Sequence, residues 1–134
     1  MGQYFKVINK TKKEFLSCYD VDYGAKFLES ISGSYPRLLF FLLRQSDEGG
    51  GGDIAANTNM AGHWAGDEIS IVGDYDSSGL YDDANEDNGW KRITVQAAKD
   101  YNKEILLAGC AAYELHIDPE ALDRETNTRG GRNA

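Results

Sequence analysis

A short run of oxygen-bearing side chains in the middle of the chain is the clearest candidate for chemistry. Its spacing matches a calcium-binding loop, because Asp74, Asp76 and Ser78 occupy the first, third and fifth positions. Gly79 then falls at the sixth position, where the loop turns sharply, and Asp82 falls at the ninth. Hard cations prefer such carboxylate and hydroxyl oxygens. One interpretation is therefore a calcium- or metal-dependent module, or a small hydrolase, built on this loop.

Two features of the run depart from the calcium-loop pattern. The twelfth position normally supplies a bidentate Glu, and here it is Asn85, with Glu86 one residue later. A strand rather than a helix is predicted before the loop. The competing interpretation is an acidic, solvated turn in which Asp and Ser side chains bond their own backbone. We favour this second interpretation and expect no cofactor, with calcium as the one candidate.

Charge is distributed very unevenly along the sequence. The whole chain has 14 basic and 22 acidic residues and a formal charge of -8, yet residues 45–90 hold eleven acidic residues and no Lys or Arg. This segment is also rich in glycine and should be largely loop. Its charge disfavours direct binding to nucleic acid or anionic lipid and favours a basic protein surface. The candidate partner-binding residues are Asp67, Glu68, Asp74, Tyr75, Asp76, Tyr81, Asp82, Asp83, Glu86 and Trp90.

The function that we predict from this pattern is non-enzymatic binding. Carboxylates would steer the protein toward a basic surface in the manner of a DNA mimic, and the aromatic residues would serve as anchors. A further alternative is a protein that sequesters a nucleotide signal. Its phosphates would have to be bound by Lys10, Lys12 and Lys13, because the middle of the chain has no cation. No catalytic residue is predicted, since His63 and His116 lack the sequence context of a nucleophile's partner.

The elements that position these residues are predicted from periodicity and from turn residues. Strands are expected over 3–8, 13–17, 68–73 and 112–117, and helices over 24–32, 36–45 and 94–104. The apolar run Leu38 to Leu43 predicts a central helix that is covered on all sides. Together these elements predict an α+β fold, a small antiparallel sheet with two to three packed helices. One globular domain should occupy residues 1–117, followed by a polar, frayed tail over 118–134.

Apolar runs and cysteines bear on the compartment. The longest apolar run has six residues, far fewer than the roughly 20 that span a bilayer. The first residues lack the apolar stretch of a secretory signal, and Cys18 and Cys110 are too few for a disulfide framework. We therefore expect a cytoplasmic protein that does not bind membranes.

Five blocks of the sequence resemble a group of small proteins found in bacteria and their phages. The blocks are Met1 to Phe5, Lys12 to Leu16, Gly24 to Glu29, Gly62 to Ile69 and Gly73 to Tyr75. The similarity spans roughly residues 1 to 95 and implies one α+β domain. It implies no activity and no functional residues, because that group has no established biochemistry. Together with the acidic segment, it favours a phage-type inhibitor of a host protein that acts in defence or handles nucleic acid.

Overall fold

A four-stranded mixed sheet forms the centre of the domain. The computed structural model describes residues 3–21, 24–45 and 58–125. Its strands are β1 (Phe5–Asn9), β2 (Glu14–Leu16), β3 (Ile69–Gly73) and β4 (Lys91–Arg92), in the order β3-β1-β2-β4. Strand β1 is antiparallel to β2 and to β3, as predicted, whereas the short β4 was not predicted and runs parallel to β2. The predicted α+β class is confirmed.

Helices cover the sheet and close the ends of the domain. They are α1 (Phe27–Ser32), α2 (Tyr35–Leu43), α3 (Leu80–Asp83), α4 (Thr94–Leu107) and α5, which comprises residues 119–125. Short 3-10 helices occupy Cys18–Val21, Glu86–Asn88 and Ala111–Tyr113. Within the described ranges, no helix is both long enough and apolar enough to cross a membrane.

The two faces of the sheet belong to two different hydrophobic cores. Val7 and Leu16 lie opposite each other and pack with α2 and α4 in the larger core. Ile8 follows Val7 and Phe15 precedes Leu16, so this neighbouring pair points to the other face and packs with Trp90. This division follows from the alternation of side chains along a strand. The sheet therefore packs against a hydrophobic core on each face, although Ile71 in its edge strand β3 remains exposed.

Helix α2 is buried on one side rather than on all sides. Leu38 and Leu42 are fully buried, but Phe40 is 78% exposed and Leu43 is also exposed. The prediction of cover all round is wrong because the sheet, α1 and α4 contact only part of the helix surface. The main-chain N–H of Trp64 donates to the carbonyl of Leu42 at 2.9 Å and satisfies one of the free carbonyls at the end of α2.

Two predictions about the last quarter of the chain are wrong. Residues 112–117 do not form a strand, because the Asn102 side chain bonds both the N–H and the carbonyl of Leu115, at 2.7 and 2.8 Å. The described part of the predicted tail is helical over 119–125 instead of frayed. Ala121 is buried there, and Arg124 donates to the buried carboxylate of Asp20 at 3.0 Å. Residues 126–134 lie outside the described residues, as do residues 46–57 of the glycine-rich segment.

Leu38 and Phe40 provide a direct test of the orientation of α2. Leu38→Ala should lower the free energy of unfolding by about 2–5 kcal/mol, because it leaves a cavity in the larger core. Phe40→Ala should change it by less than about 0.5 kcal/mol, because the ring is mostly in solvent. Urea titrations of both variants measure the difference. Equal losses would contradict the orientation described here.

Candidate functional site

The turns at residues 59–67 connect the N-terminal hairpin to the acidic part of the chain. Trp64 is fully buried and its Nε1–H donates to the Glu14 carboxylate at 2.8 Å. His63 Nε2 lies 2.9 Å from the same carboxylate and donates to it in the Nε2–H tautomer. Gly62 precedes them with a φ of +71°, and a side chain there would lie 2.5 Å from the Arg44 carbonyl. These contacts bind the turn to the hairpin and give Glu14 and His63 a structural role.

Asp67 is held by the hairpin as well. Its carboxylate accepts a hydrogen bond from the Asn9 amide at 2.8 Å and forms a close ion pair with Lys12. The hydrogen bonds from Lys12 and then Asn9 hold the pKa of Asp67 below its ordinary value of 3.8. Asp67 therefore has a local partner, and so does its neighbour Glu68, which lies 3.7 Å from the Lys10 ammonium.

The ion pair of Asp67 predicts a pH-dependent stability. A carboxylate whose pKa is lowered by folding stabilises the folded state above pH 4 and loses this effect as the pH falls through the lowered pKa. Wild type should therefore melt at a higher temperature than Asp67→Asn at pH 7, and the two should converge as the pH falls through the lowered pKa. Thermal melts between pH 2 and pH 7 measure this. Asp87→Asn is the control, and a constant difference between wild type and Asp67→Asn would contradict the prediction.

Residues 74–87, the acidic unit, begin with a turn that leaves the sheet. The Asp74 carboxylate accepts the main-chain N–H of Tyr4 at 3.0 Å. Asp76 accepts the N–H of Ser78 at 3.0 Å and also bonds its hydroxyl, and these bonds lower the pKa of Asp76. This is the local bonding expected of an acidic turn. Gly79 follows with a φ of +80°.

The candidate calcium ligands are not gathered in one place. In the three described ranges, no group of three or more Asp, Glu, His or Cys side chains is arranged to hold a metal ion. Asp74 turns to Tyr4, Asp76 bonds Ser78, and Asp82 lies in α3 with its carboxylate exposed. The spacing along the chain is thus not matched by a converging ligand set.

The rest of the acidic unit packs against one face of the sheet. Helix α3 and the 3-10 helix at Glu86–Asn88 are anchored by Ala84 and by Trp90, which follows the unit. Trp90 is only 5% exposed, so its predicted role as a partner-binding anchor is wrong: its ring fills the smaller core. Tyr75, by contrast, is exposed, and Tyr81 is partly buried.

The Lys6 side chain, which extends from β1, anchors α3. Its ammonium donates to the carbonyls of Tyr81 and Ala84, at 2.6 and 2.9 Å, and lies 4.6 Å from the centre of the Tyr81 ring. Burial lowers the pKa of Lys6, while nearby Asp82 acts in the opposite direction. Burial also raises the pKa of Tyr81, with Asp74 the next largest cause. A single cation thus satisfies the carbonyls at the end of α3 and lies beneath the carboxylates.

Removing the Lys6 ammonium should loosen the acidic unit. Lys6→Met keeps most of the length of the side chain but leaves the carbonyls of Tyr81 and Ala84 without this donor. Hydrogen bonds to charged groups are worth about 1.5–3 kcal/mol, so amide hydrogen exchange should accelerate over residues 80–88. Exchange in α4 should change less. Lys10→Met is the matched control, and equal exchange over residues 80–88 in all three proteins would contradict the role assigned to Lys6.

Ion pairing divides the acidic residues into two groups. Lys12 pairs with Asp67, Lys10 with Glu68, and Arg92 with Glu86 at 3.5 Å. A second group makes no ion pair with any described residue. It consists of Asp74, Asp76, Asp82, Asp83 and Asp87, all of which are exposed. The cations come from outside the acidic segment, so charge counting along the chain overstates the number of unpaired carboxylates.

A cleft of about 280 Å³ lies beside the acidic unit, and it offers little to an anion. Lys6 and Arg92 both line it. Lys6 already bonds two carbonyls, and Arg92 makes a bidentate pair with the buried Asp20 at 2.6 and 2.8 Å. The nucleotide-sequestering alternative also has few free cations to bind phosphates. Two of its three lysines, Lys10 and Lys12, are paired with carboxylates.

The sequence prediction missed Lys6 and the Asp20–Arg92 pair. A signal for Lys6 was present, because it alternates with Ile8 along β1 and therefore shares the face of the smaller core. No comparable signal existed for Asp20, whose partners Arg92 and Arg124 are 72 and 104 residues away.

Comparisons with protein-family models, with curated proteins and with solved structures give no match for this chain.

Proposed function

We propose that this protein is a non-enzymatic binding protein that docks on a basic surface of a partner through its acidic unit. The observation that carries the proposal is a group of exposed carboxylates that make no ion pair with any described residue, at Asp74, Asp76, Asp82, Asp83 and Asp87. Like charges held together repel one another in the free protein, and a basic partner relieves that repulsion. Such a surface also raises the rate of association with a cationic partner.

The anchoring of the acidic unit by Lys6 and the smaller core supports the same proposal. Lys6 and the smaller core hold α3 in place, so binding would not have to order a flexible loop. Preorganised groups bind more tightly because less conformational entropy is lost on association. Tyr75 adds an exposed aromatic ring beside the carboxylates.

The partner that we infer is a host protein whose basic surface otherwise binds nucleic-acid phosphates. Dense, rigid carboxylates can replace phosphates on such a surface because both are anionic hydrogen-bond acceptors. The resemblance to proteins of bacteria and phages favours a partner in host defence or nucleic-acid handling. Direct binding of this protein to nucleic acid is not part of the proposal, since its net charge is -8.

Charge reversal of three unbonded carboxylates tests the proposal. In the variant Asp82→Lys, Asp83→Lys and Asp87→Lys, each altered side chain is exposed and none forms an ion pair with a described residue. The free energy of unfolding should change by less than about 1 kcal/mol. Capture of a partner from bacterial lysate at low salt should fall by roughly tenfold or more, because steering by charge is lost.

A second charge reversal serves as the matched control. Glu114→Lys, Glu120→Lys and Asp123→Lys change the net charge by the same amount at exposed positions outside the acidic unit. This control should capture the partner as wild type does, and excess duplex DNA should release it. Equal capture by wild type and both variants would mean that the acidic unit is only a solubilising surface.

A further inference from the structure

Among the described residues, no strand pairs with the outer edge of β3. Strand β3 bonds β1 on one side only, and the N–H of Asp74 donates to the Tyr4 carbonyl at 2.9 Å. Because hydrogen bonding alternates along an antiparallel pair, the main-chain groups of Ile69 and Ile71 point away from β1. No described residue bonds those outward groups. They form a ready template for another strand.

The two edges of the sheet differ in their protection. Strand β4 has two residues, Lys91 and Arg92, and short, charged edges resist further pairing. Strand β3 has five residues, Ile-Ser-Ile-Val-Gly, without a charge or a proline. The Ile71 side chain is 62% exposed. The fold thus leaves open the edge that carries the stronger tendency to pair.

Charge at the ends of β3 discriminates between two occupants. A second copy pairing antiparallel about Ile71 would place Glu68 of one protomer opposite Asp74 of the other, at both ends of the strand. Like charges directly opposite each other destabilise a strand pair, and each chain carries a net charge of -8. A segment with cations at its ends meets no such repulsion: it places a cation at Asp74, which makes no ion pair with a described residue, and another at Glu68, which is exposed and shared with Lys10 at 3.7 Å.

We propose that β3 accepts an extended segment of a basic partner protein as an added strand. The segment has apolar residues at its centre and Lys or Arg at both ends, which lie near Glu68 at the start of β3 and Asp74 at its end. Main-chain hydrogen bonds provide affinity and the flanking charges provide selectivity. The proposal rests on the proposed function and adds the way in which the partner is held beside the acidic unit.

Two synthetic peptides test the edge. One has alternating Val and Thr flanked by two Lys or Arg residues at each end, and the other has Glu in place of the flanking cations. The basic peptide should bind roughly tenfold more tightly or better, because opposite charges across a strand pair stabilise it and like charges destabilise it. It should also slow hydrogen exchange at the amides of Ile69, Ile71 and Gly73, which NMR resolves residue by residue.

Substitutions at Ile71 separate the main-chain contribution from folding. Ile71→Pro removes an outward N–H but none of the N–H groups that bond β1, so the sheet should remain and peptide affinity should fall about tenfold. Ile71→Lys keeps that N–H and should also weaken binding, because its cation repels the basic peptide. Ile71→Val is the control and should bind as wild type does. Thermal melts establish that each variant is folded.

The outcomes separate this proposal from the proposed function. If the basic peptide perturbs only residues 80–88 and Ile71→Pro binds it normally, the edge proposal is wrong while acidic docking stands. If both peptides protect the β3 amides equally, strand addition stands and its charge selectivity is wrong, while acidic docking is decided by the charge-reversal variants. Protection of those amides that grows with protein concentration, without peptide, would identify a second copy as the occupant and overturn the proposal.

Discussion

The central strand β1 is the constraint on which the rest of the molecule depends, because both of its edges are paired and both of its faces are covered. Val7 belongs to one core and Ile8 to the other. A register shift of one residue would exchange them and would also move Lys6 away from the carbonyls of α3. The hairpin partner β2, the edge strand β3 and the acidic unit therefore all take their positions from the alternation along one five-residue strand.

The carboxylates of this protein fall into two groups, one buried in the fold and one exposed on its surface. Glu14, Asp20 and Glu104 are buried, and each accepts hydrogen bonds from named donors, such as Arg44 on Glu104 at 2.9 Å. Removing one of these carboxylates would leave a buried cation or hydrogen-bond donor without its partner, which lowers the free energy of unfolding. The exposed carboxylates of Asp82, Asp83 and Asp87 make no ion pair with a described residue. Substitutions at these three positions therefore leave in place the buried acids that support the fold.

Much of the fold could be predicted from the sequence because its signals are local. The hairpin, β3, α2 and α4 follow from alternation, from turn residues and from helical spacing over a few residues. The strand expected at 112–117 failed because Asn102 binds the backbone of Leu115, and one side-chain contact outweighs a weak β preference. The prediction that α2 is covered on all sides failed because a uniformly apolar run does not reveal which side of the helix faces solvent. For the candidate site, the acidic composition was visible, but the burial of Trp90 and the anchoring by Lys6 depend on which strands pair.

The bonds to Asp20 have a consequence for how the chain folds during synthesis. Its carboxylate is nearly inaccessible, and its partners Arg92 and Arg124 leave the ribosome far later than residue 20. Until both have emerged, the N-terminal portion contains a charge that it cannot bury at low cost. Such long sequence separation slows folding, because both arginines must be synthesised before all of these bonds can form. A chain that ends before Arg124 therefore keeps the bidentate pair of Asp20 with Arg92 but lacks its second guanidinium partner.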